Sequence, residues 1–433
     1  MTLLDLTPRV QASSRLDTLP VAIVGAGPVG LAAAAQLVKR GIAFMIYEKG
    51  SVVGDAVRAW GHTRLFSRWE FLIDDAAREL LADTDWEEPS ATVAPTGTAL
   101  VDEYLEPLAA HPAIAPHIRL DTRVAAVSRE GMDRTRTTGR NQVPFALRVT
   151  LADGSSQDVA ARAVIDASGT WSTPSPLGSS GIAPLGLDAV ADRVVSALPD
   201  VLGRDRERFA GRHVTVVGAG HSAANTLISL ATLAKLAPGT RVTWLIRNPS
   251  AKRVTTSDDE LPERGALGSR VERLVASERV DVVDRFEIAA LAPAGDGVVL
   301  RAADGRTHET DIVVASTGFR PDLDMLRELR IELDDIVEAP RRLAPMIDPN
   351  VHSCGTVEPH GYRELTHPEA GFFIVGMKSY GRAPTFLLRT GYEQVRSVVA
   401  WIAGDAEAAS RVELVLPATG ACGGGSSAAG GCC

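Results

Sequence analysis

A glycine-rich turn near the start of the chain is the first feature that could do chemistry. The apolar run Val21–Val24 is followed by Gly25, Gly27 and Gly30, and Glu48 ends the next apolar run. In such a turn the first glycine permits the bend, the second lets the backbone approach a pyrophosphate, and the third lets the helix pack on the strand. The free N–H groups of the helix start bind phosphate. The turn therefore predicts a dinucleotide site. A carboxylate at Glu48 would accept hydrogen bonds from a ribose diol and repel a 2′-phosphate, which favours FAD or NAD over NADP.

A second turn of the same kind occurs in the second half of the chain. Gly218 and Gly220 follow another β-branched run, and Ala223 replaces the third glycine. At the position that Glu48 holds in the first copy, the second copy has cations, namely Arg247 with Lys252 and Arg253 just beyond it. A cation there suits a 2′-phosphate, so the second turn predicts a site for NADPH.

The two turns belong to an approximate internal duplication. Each copy has the same order of strand, glycine turn, helix, strand, β-meander and a last strand that ends in Ser or Thr with Gly. The copies close with residues 163–169 and 311–318. Strands that alternate with helices in this way are typical of Rossmann-like units with a parallel sheet. The predicted fold class is α/β, with two Rossmann-like dinucleotide-binding domains, the NADPH domain inserted in the FAD domain, and a β-meander in each.

The segments around the two copies set the predicted domain bounds. An insertion rich in Trp and charge follows the first helix and strand, and a Gly-, Ser- and Ala-rich stretch ends the chain. The predicted parts are an N-terminal arm (1–17), the first part of the FAD-binding domain (18–177, with the insertion 50–116), the NADPH-binding domain (178–321), the second part of the FAD-binding domain (322–416) and a flexible tail with cysteines (417–433).

Composition excludes several classes of protein. The chain has 433 residues, 45% hydrophobic and 23% charged, and can bury a sizeable core. Its net charge of −9 argues against nucleic-acid and anionic-membrane partners, which need a basic face. The uncharged stretch 21–38 contains glycines and a proline that fit a strand–turn–helix better than a membrane span. With no signal-peptide pattern at the N-terminus, a cytoplasmic location is expected.

Cysteine usage limits the redox chemistry. Three of the four cysteines lie in the last twelve residues, and Cys354 is alone in the body of the chain. No Cys-x-x-Cys occurs, which excludes a dithiol of the thioredoxin-reductase type as well as a secreted disulfide framework.

With these motifs in place, the sequence resembles the flavoproteins with two dinucleotide-binding domains, and within them the flavin-dependent monooxygenases. Besides the two turns, residues 315–322 are similar to the segment that links the nucleotide domain back to the FAD domain. Residues 371–376 with 383–385 resemble the last FAD-domain strand and the loop after it. The resemblance implies FAD contacts from Gly25, Gly27, Pro28, Gly30, Glu48, Gly169, Gly376 and Thr385. It implies NADPH contacts from Gly218, Gly220, His221, Ser222, Arg247, Thr317 and Gly318.

A finer resemblance is to the flavin monooxygenases of bacterial arsenic-resistance operons. The shared segments are 60–62, 65–67, 95–97, 348–355 and 376–386. The Phe-x-Gly-x-x-x-His signature of flavin-containing and Baeyer–Villiger monooxygenases is not intact, because His213 stands at the wrong spacing after Phe209 and Gly211. Neither of those subgroups is therefore assigned.

The activity that the resemblance implies has three steps. NADPH delivers hydride to the flavin, the reduced flavin activates O2 as a flavin hydroperoxide, and one oxygen passes to a small soft nucleophile (S, N or trivalent As). Because the cofactor carries this chemistry, no nucleophile–base pair is expected and no catalytic residue is assigned. Candidates for the flavin-facing pocket are Trp60, His62, Arg64, Trp69, Lys378, Tyr380 and Arg382.

Two other functions and a metal site stay open. The thiols of Cys422, Cys432 and Cys433 could converge on a soft ion, for which the resemblance suggests As(III). The chain would then be a metalloid-binding flavoprotein, and the alternative is a tail with adventitious thiols. A flavin reductase that passes electrons from NAD(P)H to a partner is the other function. The spacing of His352, Cys354, His360 and His367 fits no zinc pattern well. The oligomeric state, a homo-oligomer included, cannot be read from the sequence.

Overall fold

The computed structural model describes residues 13–249, 262–348, 359–384 and 386–414. The strands are β1 (Val21–Val24), β2 (Phe44–Tyr47), β3 (Ile118–Arg119), β4 (Arg123–Arg129), β5 (Phe145–Thr150), β6 (Ser156–Ala161), β7 (Ala163–Asp166), β8 (Val194–Ser196), β9 (His213–Val217), β10 (Arg241–Leu245), β11 (Asp281–Val283), β12 (Ile288–Ala294), β13 (Gly297–Ala302), β14 (Thr307–Thr310), β15 (Ile312–Ala315) and β16 (Phe372–Ile374).

The helices are α1 (Ser13–Thr18), α2 (Pro28–Lys39), α3 (Asp55–Ala59), α4 (Asp75–Leu81), α5 (Gly97–Leu100), α6 (Glu106–Ala110), α7 (Arg206–Phe209), α8 (His221–Leu236), α9 (Pro262–Ala276), α10 (Ala344–Ile347), α11 (Tyr362–Leu365), α12 (Leu388–Ile402) and α13 (Ala406–Ser410). Short 3-10 turns and a π-helical turn, Val101–Leu105, connect several of them. None of the helices in the described ranges has both the length and the apolar character needed to span a membrane.

Two parallel sheets form the centre of the molecule. The first has the strand order β16-β7-β1-β2-β3, and the second has the order β11-β10-β9-β15-β8. Each carries a three-stranded antiparallel meander, β4-β5-β6 for the first and β12-β13-β14 for the second. The chain leaves the first sheet after β7, builds the second and returns as β16. The predicted α/β fold with two Rossmann-like units, each with a meander, is confirmed.

The first core lies between the first sheet, helices α2 and α12, and the insertion. Helix α2 carries a run of four buried alanines, residues 32–35, whose small side chains allow close approach to its neighbours. The insertion contributes large buried rings to the same core, among them Trp69 and Tyr104. The insertion therefore packs on the first unit along its length, and does not stand apart from it. The domain bounds given above remain predictions.

The two crossings between the units run side by side. Ser175 N–H donates to Gly318 O at 2.9 Å, and Arg320 N–H donates to Thr173 O at 3.0 Å. The rings of Trp171 and Phe319 pack with centroids 4.9 Å apart. These contacts tie the chain that leaves the first sheet after β7 to the chain that leaves the second sheet after β15.

A buried carboxyl group caps helix α4 inside the first core. Asp74 accepts a hydrogen bond from Ala77 N–H at 3.0 Å, lies 3.4 Å from Gln36 Nε2, and is 4% exposed. Burial raises the pKa of Asp74 to about 6, although the hydrogen bonds from Ala77 and Gln36 act in the opposite direction. The folded protein therefore binds this proton more tightly than the unfolded chain.

We expect Asp74→Asn to raise the free energy of unfolding at pH 8 and to change it little below pH 4. Because the folded-state pKa exceeds the unfolded one, wild-type stability falls as pH rises from about 4 to about 6 and stays lower above that. One pKa unit is worth about 1.4 kcal/mol, so the gain above pH 7 is at most about 3 kcal/mol. Asparagine keeps the N-cap, since it caps helices as well as aspartate does.

Urea unfolding at pH 3.5 and pH 8 measures this difference. Asp83, just beyond the end of α4, is exposed and is not among the groups that shift the pKa of Asp74, so Asp83→Asn is the matched control and is expected to show no such pH-dependent gain. A gain for Asp74→Asn that is the same at both pH values would contradict the ionisation argument.

Candidate functional site

The first glycine turn has a distinct steric demand at each of its three glycines. Gly25 has φ +101°, and a Cβ there would lie 2.8 Å from Ala167 O. A Cβ at Gly30 would lie 2.0 Å from Gly25 O, so only glycine lets α2 pack this closely on the turn. At Gly27 a Cβ would meet no described protein atom within 4 Å. The open position is thus the second glycine, which is the one where a pyrophosphate approaches the backbone.

Helix α2 presents its unsatisfied N–H groups at this open position. Its N-cap is Gly27, which has no side chain to cap the helix, and Pro28 occupies the first helical position. Proline is favoured there because it lacks the N–H that would stay unpaired and has a helical φ. The remaining free N–H groups and the helix dipole favour an anion at this end.

Glu48 is buried beside the turn, where the backbone orients it. Its two carboxylate oxygens accept from Ala26 N–H at 2.7 Å and Gly50 N–H at 2.8 Å. Each carboxylate oxygen can accept a further hydrogen bond. The side chain is therefore held in one orientation with acceptor capacity left for a ribose diol, which fits the predicted role.

The second glycine turn repeats these demands. Gly218 has φ +128°, and a Cβ there would lie 2.1 Å from Ser316 O. Gly220, the N-cap of α8, is open within 4 Å as far as the described atoms go. Ala223 stands at the third position and is fully buried, so the methyl group is accommodated. The predicted contacts His221 and Ser222 begin α8 and are partly exposed.

Backbone hydrogen bonds align the two copies residue by residue. Gly25 N–H donates to Tyr47 O, and Gly218 N–H donates to Leu245 O. By this register Ile246, and not Arg247, takes the place of Glu48. Arg247 is one position further along and exposed. The second copy thus has an apolar residue where the first has its carboxylate, followed directly by a cation; Lys252 and Arg253 lie outside the described residues.

The end of β16 and the start of α12 come together beside the first turn. Gly376 has φ +69°, and its N–H donates to Gln394 Oε1 at 2.7 Å. A Cβ at Gly391, in the first turn of α12, would lie 2.8 Å from the Val29 side chain of α2. Helix α12 has no side-chain cap at Leu387. The starts of two long helices are therefore adjacent at one edge of the first sheet.

The remaining predicted nucleotide contacts have separate placements. Gly169 has φ +66° and open space around it within the described structure, as expected for a ligand-facing turn. Gly318 is open in the same way with φ +90°. The hydroxyl of Thr317 donates to Ser175 O at 2.7 Å, so in this structure it binds the crossing chain. Thr385 lies outside the described residues.

The seven pocket candidates divide by burial. Trp69 and Tyr380 are buried in the first core, and Lys378 is fully buried in an ion pair. Trp60 is half-buried, and its ring closes on Gly97. The exposed ones are His62, Arg64 and Arg382, of which Arg64 donates to Ala94 O and Arg382 pairs with Glu338.

One aromatic contact outside the set of pocket candidates joins the insertion to the second turn. The ring of Phe66 meets that of His221 edge-on, with centroids 5.2 Å apart. Phe66 packs against the core of the second unit although it belongs to the insertion of the first. Segment 65–67 is one of those that the sequence shares with the monooxygenases of arsenic-resistance operons. The sequence does not show that this segment contacts helix α8.

The residues considered for metal binding do not converge in the described structure. Within the described ranges no group of three His, Cys, Asp or Glu side chains could hold a metal ion. His360 bonds to Gln394 Nε2 at 2.9 Å, and burial lowers the pKa of His367 to about 4. His352, Cys354, Cys422, Cys432 and Cys433 lie outside the described residues, so the As(III) site stays a prediction.

Comparisons with known proteins place this architecture. A model of the pyridine nucleotide-disulphide oxidoreductase family matches residues 22–353. The chain belongs to this family. No match is found among curated proteins.

Solved structures with this fold include both disulfide reductases and flavin monooxygenases. The bacillithiol disulfide reductase of Bacillus cereus has a TM-score of 0.66 at 20% identity, over 89% of this chain and 99% of that one. A cadaverine monooxygenase from Erwinia amylovora, bound to FAD, has a TM-score of 0.61 at 14% identity, over 92% and 98%. A flavin monooxygenase mutant from Stenotrophomonas maltophilia has a TM-score of 0.57 at 24% identity, over 89% and 99%. At these identities the likeness shows a shared fold, in an oxidoreductase family.

Proposed function

We propose that this chain is an NADPH-dependent FAD monooxygenase that transfers one oxygen atom of O2 to a small soft nucleophile. The observation that carries the proposal is the pair of glycine turns, each open at its second glycine and closed at its first. Two such cradles suit an enzyme that passes electrons from one dinucleotide to another. The absence of any Cys-x-x-Cys from the sequence argues against dithiol chemistry of the thioredoxin-reductase type, although disulfide reductases share the fold.

The first turn fits FAD by its donors and its space. Gly27 and Gly169 leave room for a ligand, the free N–H groups of α2 would bind its pyrophosphate, and Glu48 would accept hydrogen bonds from its ribose. When bound, FAD supplies hydride acceptance and activation of O2. The start of α12 favours negative charge at the same edge of the sheet, because its first N–H groups have no side-chain cap.

The second turn fits NADPH by its charge. With Ile246 in place of a carboxylate there is no group here to repel a 2′-phosphate, and the exposed guanidinium of Arg247 would bind that phosphate. Phe66, from the insertion of the first unit, packs edge-on against His221 at the start of α8.

Arg247→Ala is expected to raise the KM for NADPH between about ten- and a hundredfold and to leave the KM for NADH within about twofold. A hydrogen bond to a charged partner contributes roughly 1.5–3 kcal/mol, and one factor of ten is about 1.4 kcal/mol. NADH lacks the 2′-phosphate and loses nothing. Steady-state kinetics with both nucleotides measure the split, and Arg241→Ala, an exposed arginine at the start of β10, is the control. Equal losses for the two nucleotides would show that Arg247 does not read the phosphate.

The proposed function is tested by measuring whether the O2 consumed ends up in an oxygenated product or in H2O2. FAD-loaded protein is given NADPH and O2 together with a thioether, a diamine or arsenite, and NADPH loss, O2 uptake, H2O2 release and oxygenated product are measured. One substrate should accelerate NADPH oxidation, suppress H2O2 release and yield one oxygenated product for each NADPH and each O2 consumed. NADPH oxidation that no substrate accelerates, with no oxygenated product, would overturn the proposal in favour of a reductase.

The cysteine tail gives a separate arm of the same experiment. Deletion of residues 420–433 should leave NADPH oxidation intact if the enzyme function holds. Loss of As(III) binding in that variant, with no oxygen transfer in either protein, would favour the metalloid-binding alternative.

A further inference from the structure

A fully buried ion pair lies behind the first glycine turn. Lys378 Nζ donates to Asp166 Oδ2 at 2.7 Å and to Ser168 Oγ at 3.1 Å, and neither charged side chain is exposed. The hydroxyl and the N–H of Ser168 in turn donate to Asp166 Oδ1 at 2.6 and 3.2 Å. The three residues form one closed hydrogen-bonded unit, which we name the Lys378–Asp166–Ser168 unit.

This unit joins two parts of the first sheet that are far apart in the chain. Asp166 ends β7, and Lys378 belongs to the 3-10 turn that directly follows β16, the neighbour of β7. Ser168 is adjacent to the glycine turn, since a Cβ at Gly25 would lie 3.1 Å from Ser168 Cα. Next in sequence stands the open Gly169. The unit therefore fixes the turn that faces the first dinucleotide site.

The second unit of the fold provides an internal control. Ala167 N–H donates to Val24 O, and Ser316 N–H donates to Val217 O, which aligns the two strand ends. In this register Ala315 takes the place of Asp166. The second sheet closes its strand without any charge at that position, so the fold itself does not require one.

The energetic cost of burying two charges also indicates that the pair is not needed for stability. Taking two charges out of water is costly, and replacing a buried ion pair by apolar groups of similar volume is often neutral or stabilising. A pair with both side chains wholly buried is thus weak support for stability. Its location against the ligand-facing turn suggests a function in the site.

We propose that Lys378 and Asp166 are positioning residues of the first dinucleotide site, which hold the Ser168–Gly169 turn and balance the local charge that bound flavin experiences. The inference rests on the proposed function only in taking FAD as the ligand. With both charges present the pair is neutral. Removing one partner leaves an uncompensated charge in a region of low dielectric, where its effect is strong.

The two single variants should therefore act in opposite directions. Asp166→Asn leaves the ammonium group, which favours the more negative reduced flavin and raises the midpoint potential. Lys378→Met leaves the carboxylate, which disfavours reduced flavin and lowers the potential. A tenfold change in the ratio of the affinities for reduced and oxidised flavin is expected for each, which is about 30 mV for a two-electron couple. The double variant removes both charges and should return to within about threefold of the wild-type ratio.

The experiment measures the midpoint potential of FAD-loaded full-length protein against a reference dye, and the Kd for oxidised FAD by fluorescence quenching. The control is the exposed pair Lys39–Glu79, with an N–O distance of 2.6 Å at the far end of α2, where Lys39→Met and Glu79→Gln should shift neither quantity. Each protein is checked for folding by circular dichroism. If one single variant folds poorly, the other one decides: Asp166→Asn must raise the potential, or Lys378→Met must lower it, relative to the double variant, and the absence of such a shift overturns the proposal.

Shifts of opposite sign that cancel in the double variant support the proposal. Potentials equal to that of the wild type in both single variants, or shifted in the same direction, would overturn it and leave the pair a structural feature. A wild-type protein that takes up no FAD would overturn this inference and the proposed function together. One that binds FAD but transfers no oxygen would overturn the proposed monooxygenase alone.

Discussion

Gly27→Ala is expected to abolish FAD retention while leaving the fold and its stability nearly unchanged. Gly27 has φ −82°, which any residue adopts, and a Cβ there would contact no described atom within 4 Å. The added methyl group would instead occupy the space of the pyrophosphate and push it away from the first N–H groups of α2. Losing one or two hydrogen bonds to a charged ligand, at roughly 1.5–3 kcal/mol each, weakens binding by between about tenfold and about twenty-thousandfold.

Two sister variants make this prediction specific. Gly30→Ala places a Cβ 2.0 Å from Gly25 O, so it should lower the free energy of unfolding, and FAD affinity with it, because the backbone must shift. Gly220→Ala should spare FAD binding and weaken NADPH binding, since it blocks the open position of the second turn. The measurements are flavin absorbance after gel filtration and the thermal midpoint of the apoprotein. A Gly27→Ala protein that keeps its FAD would show that the cofactor does not approach this turn.

The parts of the fold that could be predicted from the sequence are those with local signals. The glycine turns, the strands before them and the helices after them are each encoded within a short stretch of chain. The duplication makes the second copy a check on the first, so the α/β class follows from pattern alone. The separate functions of the three glycines also follow from the steric demands of a strand–turn–helix, including the open space at the second one.

The parts that could not be predicted depend on register and on distant partners. The end of the apolar run after the second glycine turn suggests Arg247 as the counterpart of Glu48, whereas the hydrogen bond from Gly218 N–H to Leu245 O aligns Ile246 with Glu48. Lys378 could be singled out as a pocket candidate, but its partner Asp166 is 212 residues away. No periodicity links two such positions, since strand order decides which ends become neighbours.

A second buried charge cluster also joins residues that are far apart in the sequence, so it could not be predicted either. Breaking it gives the largest expected effect on stability. Glu369 accepts from Arg129 Nε at 2.8 Å and Arg140 Nη2 at 2.8 Å, and all three side chains are at most 4% exposed. Glu369 Oε2 also accepts from Arg330 N–H at 3.1 Å. Arg129 lies at the end of β4 over the ring of Phe145. The cluster thus joins the meander of the first unit to the chain that returns from the second.

The charges in this cluster depend on one another. Burial alone would raise the pKa of Glu369, but the hydrogen bonds from Arg140 and Arg129 outweigh burial and lower it. By linkage, the ionised carboxylate stabilises the fold above the normal pKa range of Glu, and this contribution is lost as pH falls through the lowered folded-state pKa.

Glu369→Gln is therefore expected to destabilise the protein by about 3–5 kcal/mol at pH 7, the usual result of removing one partner from a buried ion pair. The loss arises because two buried guanidinium groups remain without a counter-charge, and an amide N–H₂ group replaces one acceptor.

The matched control is Asp158→Asn, which breaks the exposed pair with Arg148 on the same meander and should leave the urea midpoint unchanged. The difference between wild type and Glu369→Gln should also shrink as pH falls below the lowered pKa of Glu369, because both proteins then carry a neutral group. A loss of the same size at every pH would mean that shape and packing, and not charge, determine what Glu369 contributes.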